Sequence, residues 1–132
     1  MITSSFINLP VASLARSVEF FTALGFEFNA QFTDEQSTCM LVGDNIYVML
    51  VEHAKFEGFI DKPIAPTNTA EAIFGFGLES PDQVRELTEK ALAHGARQVN
   101  EPEDLGFMFS WGFEDLDGHL WDLFWMDPKA VN

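Results

Sequence analysis

The chain has 132 residues, 47% of them hydrophobic and 14% aromatic, which is enough for one compact domain with a real core. Its 7 basic and 21 acidic residues give a net charge of −14. That balance argues against nucleic acid and anionic membrane surfaces as partners, because a phosphate-binding face needs clustered lysine and arginine. The same charge would attract a cationic ligand, although it also serves solubility.

The chain carries no sign of a membrane or secreted protein. No apolar run approaches the roughly 18 residues of a membrane span. The stretch MITSSFINLPVAS lacks the basic and apolar regions of a secretion signal. A single cysteine, Cys39, excludes an intramolecular disulfide. We therefore expect a cytoplasmic protein.

The first half predicts one helix among four strands. Residues 2–9 predict a strand that ends at Pro10, and Ser13 is a candidate N-cap for a helix over about 14–24. That helix would end at Gly25, as helices with a C-cap glycine do. Three strands follow, at about 26–33, 38–43 and 45–52. The first half therefore reads βαβββ, over about residues 1–53.

The second half repeats this order after a break. Residues 54–70 lose all periodicity and contain two prolines, which predicts a linker or flap. A strand over 72–79 is followed by a helix with Ser80 as N-cap, which ends at Gly95. Short strands are predicted at about 97–100, 106–113 and 119–126. The second module would span about 71–127.

The spacing of matching features indicates an internal duplication. Gly25 and Gly95, which both end helices, lie 70 residues apart, while Met49 and Asp122 lie 73 apart. We therefore predict an α+β fold of two βαβββ modules, whose curved mixed sheets enclose a cleft.

The stretch FEDLDGHLWDLFWMD, residues 113–127, places a carboxylate among large apolar side chains. It predicts a tight turn followed by a strand, in which Leu120, Asp122 and Phe124 share one face. Burying an unpartnered charge is costly, so a metal ion, a ligand or water should meet Asp122.

Aromatic side chains surround this candidate site. In GFMFSWGF, residues 106–113, alternation places Phe109 and Trp111 on one face, either in the core or lining the cleft. Gly75 and Gly77 share a face with Ile73 and would leave room there. An apolar, aromatic pocket with one carboxylate is typical of a site for a flat organic ligand. The three histidines are too scattered for a metal site, and Cys39 is expected to pack in the core.

Three stretches carry a family resemblance: FINLPVASLARSVEFFTALGFEF, SPDQVRELTEKALAHGA and FEDLDGHLWDLFWMD. They resemble the vicinal oxygen chelate superfamily of glyoxalase I, bleomycin resistance proteins and extradiol dioxygenases. The sequence of these stretches is most similar to a bacterial branch labelled predicted lactoylglutathione lyase.

The resemblance implies four metal-ligand positions, one on the first and one on the last strand of each module. They fall here on Phe6, Met49, Ile73 and Asp122. Two hydrocarbon side chains and a thioether cannot ligate a hard divalent cation, so we expect no metal and no other cofactor.

Three functions stay open from the sequence. The first is a metal-free binding protein for a small aromatic or cationic molecule. Its predicted ligand contacts are Phe6, Met49, Ile73, Phe109, Trp111, Asp122 and Phe124. The second is a lyase or isomerase of the lactoylglutathione lyase type, with Asp122 as catalytic base or remnant metal ligand. The third is a protein whose role is association, in which the cleft is vestigial. In each case we expect a homodimer.

Overall fold

The computed structural model describes residues 1–130, and the chain divides into two compact units, Met1–Pro66 and Thr67–Asn132. Each unit combines a mixed β-sheet with one long helix, which confirms the predicted α+β class. The first unit contains the predicted βαβββ order, and the second adds one two-residue strand to it. Within residues 1–130, no helix has the length and apolar character needed to cross a membrane.

The first unit builds one sheet of four strands. Its elements are β1 (Ser5–Val11), α1 (Leu14–Ala23), β2 (Glu27–Asn29), β3 (Ser37–Gly43), β4 (Ile46–Glu52) and α2 (His53–Glu57). The strand order is β1-β4-β3-β2, with β1 parallel to β4 and the other pairs antiparallel. Helix α1 and the sheet bury the apolar side chains of Leu9, Phe21 and Leu50.

Both predicted ends of α1 are confirmed. The Ser13 hydroxyl accepts a 3.2 Å hydrogen bond from the backbone N–H of Arg16, as an N-cap does. The carboxylate of Glu52 accepts a second bond from the N–H of Leu14 at 2.9 Å. Gly25 follows the helix with φ of 101°, a conformation that glycine adopts without strain.

The structure differs from the predicted elements of this unit in three places. Strand β1 continues through Pro10 to Val11; β1 ends the row of strands in its sheet, where a missing N–H is tolerated. The strand predicted over 26–33 stops after β2, and a 3-10 turn covers Ala30–Phe32. The predicted linker begins in α2, whose Lys55 forms an ion pair with Asp34.

The second unit repeats the arrangement. Its elements are β5 (Ile73–Gly77), α3 (Pro81–Ala93), β6 (Arg97–Gln98), β7 (Glu103–Asp104), β8 (Met108–Glu114) and β9 (Leu120–Met126). The strand order is β5-β9-β8-β6, and β7 also pairs with β8. As predicted, Ser80 caps α3 by accepting from the N–H of Gln83 at 3.2 Å, and Gly95 follows the helix with φ of 108°.

The strand registers of the two units are equivalent. In the first sheet Phe6 lies opposite Tyr47, two residues before Met49 on β4. In the second sheet Ile73 lies opposite Leu120, two residues before Asp122 on β9. The shared register supports an internal duplication, and it places Phe6 and Ile73 at matching positions of their own sheets.

Candidate functional site

The second sheet has one face covered by α3 and one face that we call the open face. Helix α3 packs its buried residues, among them Val84 and Thr88, over the covered face. Alternation along β9 turns Trp121 and Leu123 into that core, where each is 2% exposed. Leu120, Asp122 and Phe124 therefore point to the open face, as predicted.

A cavity of about 460 Å³ lies against the open face. Ile73, Leu120 and Asp122 contribute from the two parallel strands, and Ser110 and Gly112 from β8. The rest of its lining is Val99, Asn100, Glu101, Glu103, Trp111, Phe113 and Trp121. Its volume falls within the usual range for a small-molecule site.

Asp122 is the carboxylate that reaches this cavity from the open face of β9. It is half-buried, and burial raises its pKa, with a further contribution from the negative charge of Glu103. Within residues 1–130 its side chain makes no hydrogen bond and no ion pair. Opposite it stands Gly112, where a Cβ would lie 2.0 Å from the carbonyl oxygen of Trp121. No side chain therefore stands opposite the carboxylate on β8.

The cavity is negatively charged. Glu101, Glu103 and Asp122 line it, and none of its lining residues is basic. Arg97, on β6 beside the wall, donates two hydrogen bonds to the carboxylate of Glu114 at 3.0 and 3.1 Å. That pairing lowers the pKa of Glu114 and occupies the guanidinium. The negative charge of the cavity thus favours a positively charged ligand.

The turn before β9 fixes the position of Asp122. The buried carboxylate of Asp115 accepts hydrogen bonds at 2.9 Å from the backbone N–H groups of Asp117 and His119 and from the indole N–H of Trp121. Gly118 has φ of 88°, and a Cβ there would lie 2.4 Å from the carbonyl oxygen of Thr67. The turn DLDG is therefore held by the hydrogen bonds of Asp115 and by its close packing against Thr67.

Three of the predicted contacts meet at the cavity, and two others lie elsewhere in this unit. Ile73 and Asp122 line it from the open face. Trp111 also lines it, although its position on β8 lies opposite the buried Leu123, on the same face as Phe109. The prediction that Phe109 contacts the ligand is wrong. The strand register pairs Phe109 with Trp125, and its ring is buried on the covered face, with the Arg85 guanidinium 4.4 Å above its centre. It therefore shares no surface with Asp122.

Phe124 lies on the open face but outside the cavity lining. Its ring covers Gly75 and Gly77, where an added Cβ would lie 3.6 and 3.3 Å from ring carbons. The space that the two glycines were expected to leave for a ligand is thus occupied by Phe124. Their missing side chains accommodate this ring instead.

Phe6 and Met49 belong to the first unit. They lie on the face of its sheet opposite to the buried Leu9 and Leu50. The ring of Phe6, which is 52% exposed, stacks on that of Tyr47 with centroids 4.5 Å apart. A role in ligand binding for these two residues stays a prediction.

The four positions implied for a metal do not fit one. Phe6 and Ile73 offer hydrocarbon, Met49 offers a thioether, and only Asp122 offers oxygen, whereas hard divalent cations need several oxygen or nitrogen ligands. In the part of the chain that the structure describes, no three His, Cys, Asp or Glu side chains converge on a possible metal position.

Most residues of the cavity wall could not be predicted from local sequence patterns. Val99, Asn100, Glu101 and Glu103 line the cavity but were not among the predicted contacts. One signal was present: Pro102 lies two residues after the strand predicted over about 97–100, and prolines in sheets mark edges and bulges.

Comparisons with known proteins agree with this architecture. Residues 3–43 match the family of bleomycin resistance protein-like N-terminal domains. A hypothetical protein from S. aureus is 28% identical, with 94% of each chain covered and a TM-score of 0.79. The fosfomycin resistance protein FosX from Listeria monocytogenes is 25% identical, with 94% of this chain and 91% of that chain covered and a TM-score of 0.65.

A more distant structure shows the same fold. A glyoxalase-related enzyme from Fulvimarina pelagi is 13% identical, with 95% of this chain and 88% of that chain covered and a TM-score of 0.80. No protein of curated function has a significant match to the chain.

Proposed function

We propose that the chain is a metal-free member of the vicinal oxygen chelate superfamily, the group of glyoxalases, bleomycin resistance proteins and dioxygenases, and that it binds a small organic molecule. The ligand is flat and aromatic, carries a positive charge, and occupies the cavity of the second unit. Ile73 and Leu120 supply apolar contact, and Asp122 supplies the polar one.

One observation carries this proposal: Asp122 is a half-buried carboxylate without a hydrogen-bond partner in residues 1–130, in a cavity without a basic residue. Such a group is poorly solvated, so a cationic donor would gain a charge-assisted hydrogen bond and stabilise the ionised carboxylate. The carboxylates of the cavity disfavour an anionic ligand.

Charge distribution supports the same ligand class. The second unit carries 13 acidic and 4 basic residues, against 8 and 3 in the first. The second unit thus holds a net charge of −9 and the first −5. Long-range attraction for a cation is therefore stronger at the unit that contains the cavity.

A matched pair of fluorescent probes tests the proposal. The dication 4′,6-diamidino-2-phenylindole and its neutral core 2-phenylindole share a flat aromatic frame and differ in their amidinium groups. We expect the dication to bind the wild-type protein more tightly than the neutral core. Asp122→Asn should weaken binding of the dication by roughly 1–3 kcal/mol, the range for losing a hydrogen bond to a charged group. Binding of the neutral core should be nearly unchanged.

Glu86→Gln is the control variant, since it removes one negative charge from an exposed position of α3 away from the cavity. Equal weakening by both substitutions would show that net charge alone attracts the probe. Equal affinity of wild type and Asp122→Asn for the dication would contradict the proposal.

The raised pKa of Asp122 favours a second candidate, a lyase of the lactoylglutathione lyase type with Asp122 as general base. A carboxylate of higher basicity accepts a proton from a substrate carbon more readily. Conversion of the hemithioacetal of methylglyoxal and glutathione by the wild type, abolished in Asp122→Asn, would replace the binding role with this one.

A further inference from the structure

The edge strand beside the cavity is interrupted at residues 99–102, which we call the wall segment. Before it, Gln98 pairs with Phe113, and after it, Glu103 pairs with Ser110. Four residues of the edge strand thus face two residues of β8, Trp111 and Gly112. The two extra residues form a bulge, and bulges commonly re-aim side chains next to functional sites.

The wall segment closes one side of the cavity. Val99, Asn100 and Glu101 line it, and Pro102 ends the interruption. Because nothing on the edge strand pairs with Trp111 and Gly112, the cavity reaches these two residues between β6 and β7. The position of the wall segment therefore sets the width of the cavity.

Trp111 connects the wall segment to the core of the unit. Its indole N–H donates a 3.1 Å hydrogen bond to the carbonyl oxygen of Asn100. Its own carbonyl oxygen accepts a 3.3 Å bond from the hydroxyl of Thr88, which is fully buried in α3. Of the hydrogen bonds within residues 1–130, the indole bond is the only one that reaches the wall segment.

We propose that Trp111 is a positioning residue, whose indole hydrogen bond holds the wall segment against the cavity and thereby sets which ligands fit. This inference rests on the proposed function and goes beyond it, because it assigns the shape of the site to a residue other than Asp122. The wall segment has two residues more than the ladder requires, so without the bond it has several conformations available. A ligand would then have to order the segment as it binds.

Trp111→Phe tests this role, since it keeps an aromatic ring and removes the N–H. We expect the nitrogen-15 order parameters of the amides of Val99, Asn100 and Glu101 to fall from about 0.85 to below about 0.6, the change from a rigid to a flexible backbone. We also expect the variant to bind both probes about three- to tenfold more weakly, the range for losing one neutral hydrogen bond. The ratio of the two affinities should stay constant, because the wall segment acts on shape and Asp122 acts on charge.

Trp125→Phe is the matched control, because it makes the same chemical change on β9, at a residue outside the cavity lining. Unchanged order parameters in Trp111→Phe would overturn the proposal, as would a mobile wall segment with unchanged affinities. A fall of the same size in Trp125→Phe would also overturn it, by tracing the effect to general loosening of the sheet.

The failure of the proposed function gives a different result. If the wild type binds neither probe, the binding role and with it the role of Trp111 toward a ligand are wrong. A loss of selectivity for the dication in Asp122→Asn, with unchanged affinities in Trp111→Phe, would support the proposed function and overturn only the inference about Trp111.

Discussion

Asp122 and Glu103 are two carboxylates that face one cavity, and the negative charge of Glu103 adds to burial in raising the pKa of Asp122. Neither carboxylate is neutralised by a basic residue of the cavity lining. The fold therefore places Asp122 where its ionised form is disfavoured. Residues of a binding site commonly lower the stability of the folded protein in this way.

The first prediction concerns the pH dependence of stability. The folded pKa of Asp122 lies above its ordinary value of 3.8, so the folded state binds the proton more tightly than the unfolded state. Stability from this residue is full below that ordinary value and is lost as pH rises through the folded pKa. Asp122→Asn mimics the protonated form, so without ligand it should be more stable than wild type at about pH 8, by roughly 0.5 kcal/mol after solvent screening.

Urea unfolding of both proteins measures this difference. The gain should vanish at about pH 3, where Asp122 is protonated in both the folded and the unfolded state. A variant that is less stable than wild type at about pH 8 would show that the carboxylate already has a partner in solution.

The second prediction is that the purified protein holds no stoichiometric transition metal. Phe6, Met49 and Ile73 supply no ligand that a hard cation accepts. Elemental analysis of protein produced without a histidine tag should find far less than one metal ion per chain. Close to one zinc, nickel or iron per chain would contradict the metal-free proposal.

The third prediction is a homodimer. Both sheets carry large apolar side chains exposed to solvent, among them Ile73 at 66% and Phe6 at 52%. Apolar area of this kind is commonly buried between subunits. Light scattering at micromolar concentration should give twice the chain mass of 14.8 kDa. A mass of one chain would contradict the prediction.

The repeated elements could be predicted because each depends on local signals. Ser13 and Ser80 cap their helices, and Gly25 and Gly95 end them, through bonds and dihedral angles within a few residues. The face of Asp122 could also be predicted, because alternation along a single strand decides it.

The face of Phe109 depends on a second strand, and alternation along one strand cannot settle it. The turn decides the register: Glu114 pairs with Leu120, so residues at equal distances from Asp117 face one another. That relation places Phe109 opposite Trp125 on the covered face and Ser110 opposite Phe124 on the open face. The sequence DLDG contained this information. Pro102 indicates an interruption near residues 99–102, but the pairing that makes it a bulge depends on β8 and is not defined locally.

The fourth prediction tests how the turn is held. Asp115→Ala removes the acceptor of three buried or half-buried donors, on Asp117, His119 and Trp121. Each unpaired buried donor is costly, so the free energy of unfolding should fall by about 2–4 kcal/mol. Asp44→Ala, an exposed aspartate in the β3–β4 turn of the first unit, should change it by no more than about 0.5 kcal/mol. Equal losses in chemical denaturation would show that the Asp115 bonds contribute nothing specific.

The fifth prediction compares two glycines with nearly the same backbone conformation. Gly118 has φ of 88° and Gly106 has φ of 84°, so alanine at either position adopts a left-handed conformation that costs roughly 1 kcal/mol. They differ in their surroundings: a Cβ at Gly118 would lie 2.4 Å from the Thr67 carbonyl oxygen, whereas nothing lies within 4 Å of one at Gly106. Gly118→Ala should therefore lower the free energy of unfolding by at least about 1 kcal/mol more than Gly106→Ala, because backbone must move. Equal costs in urea unfolding would show that Thr67 does not pack against the turn in solution.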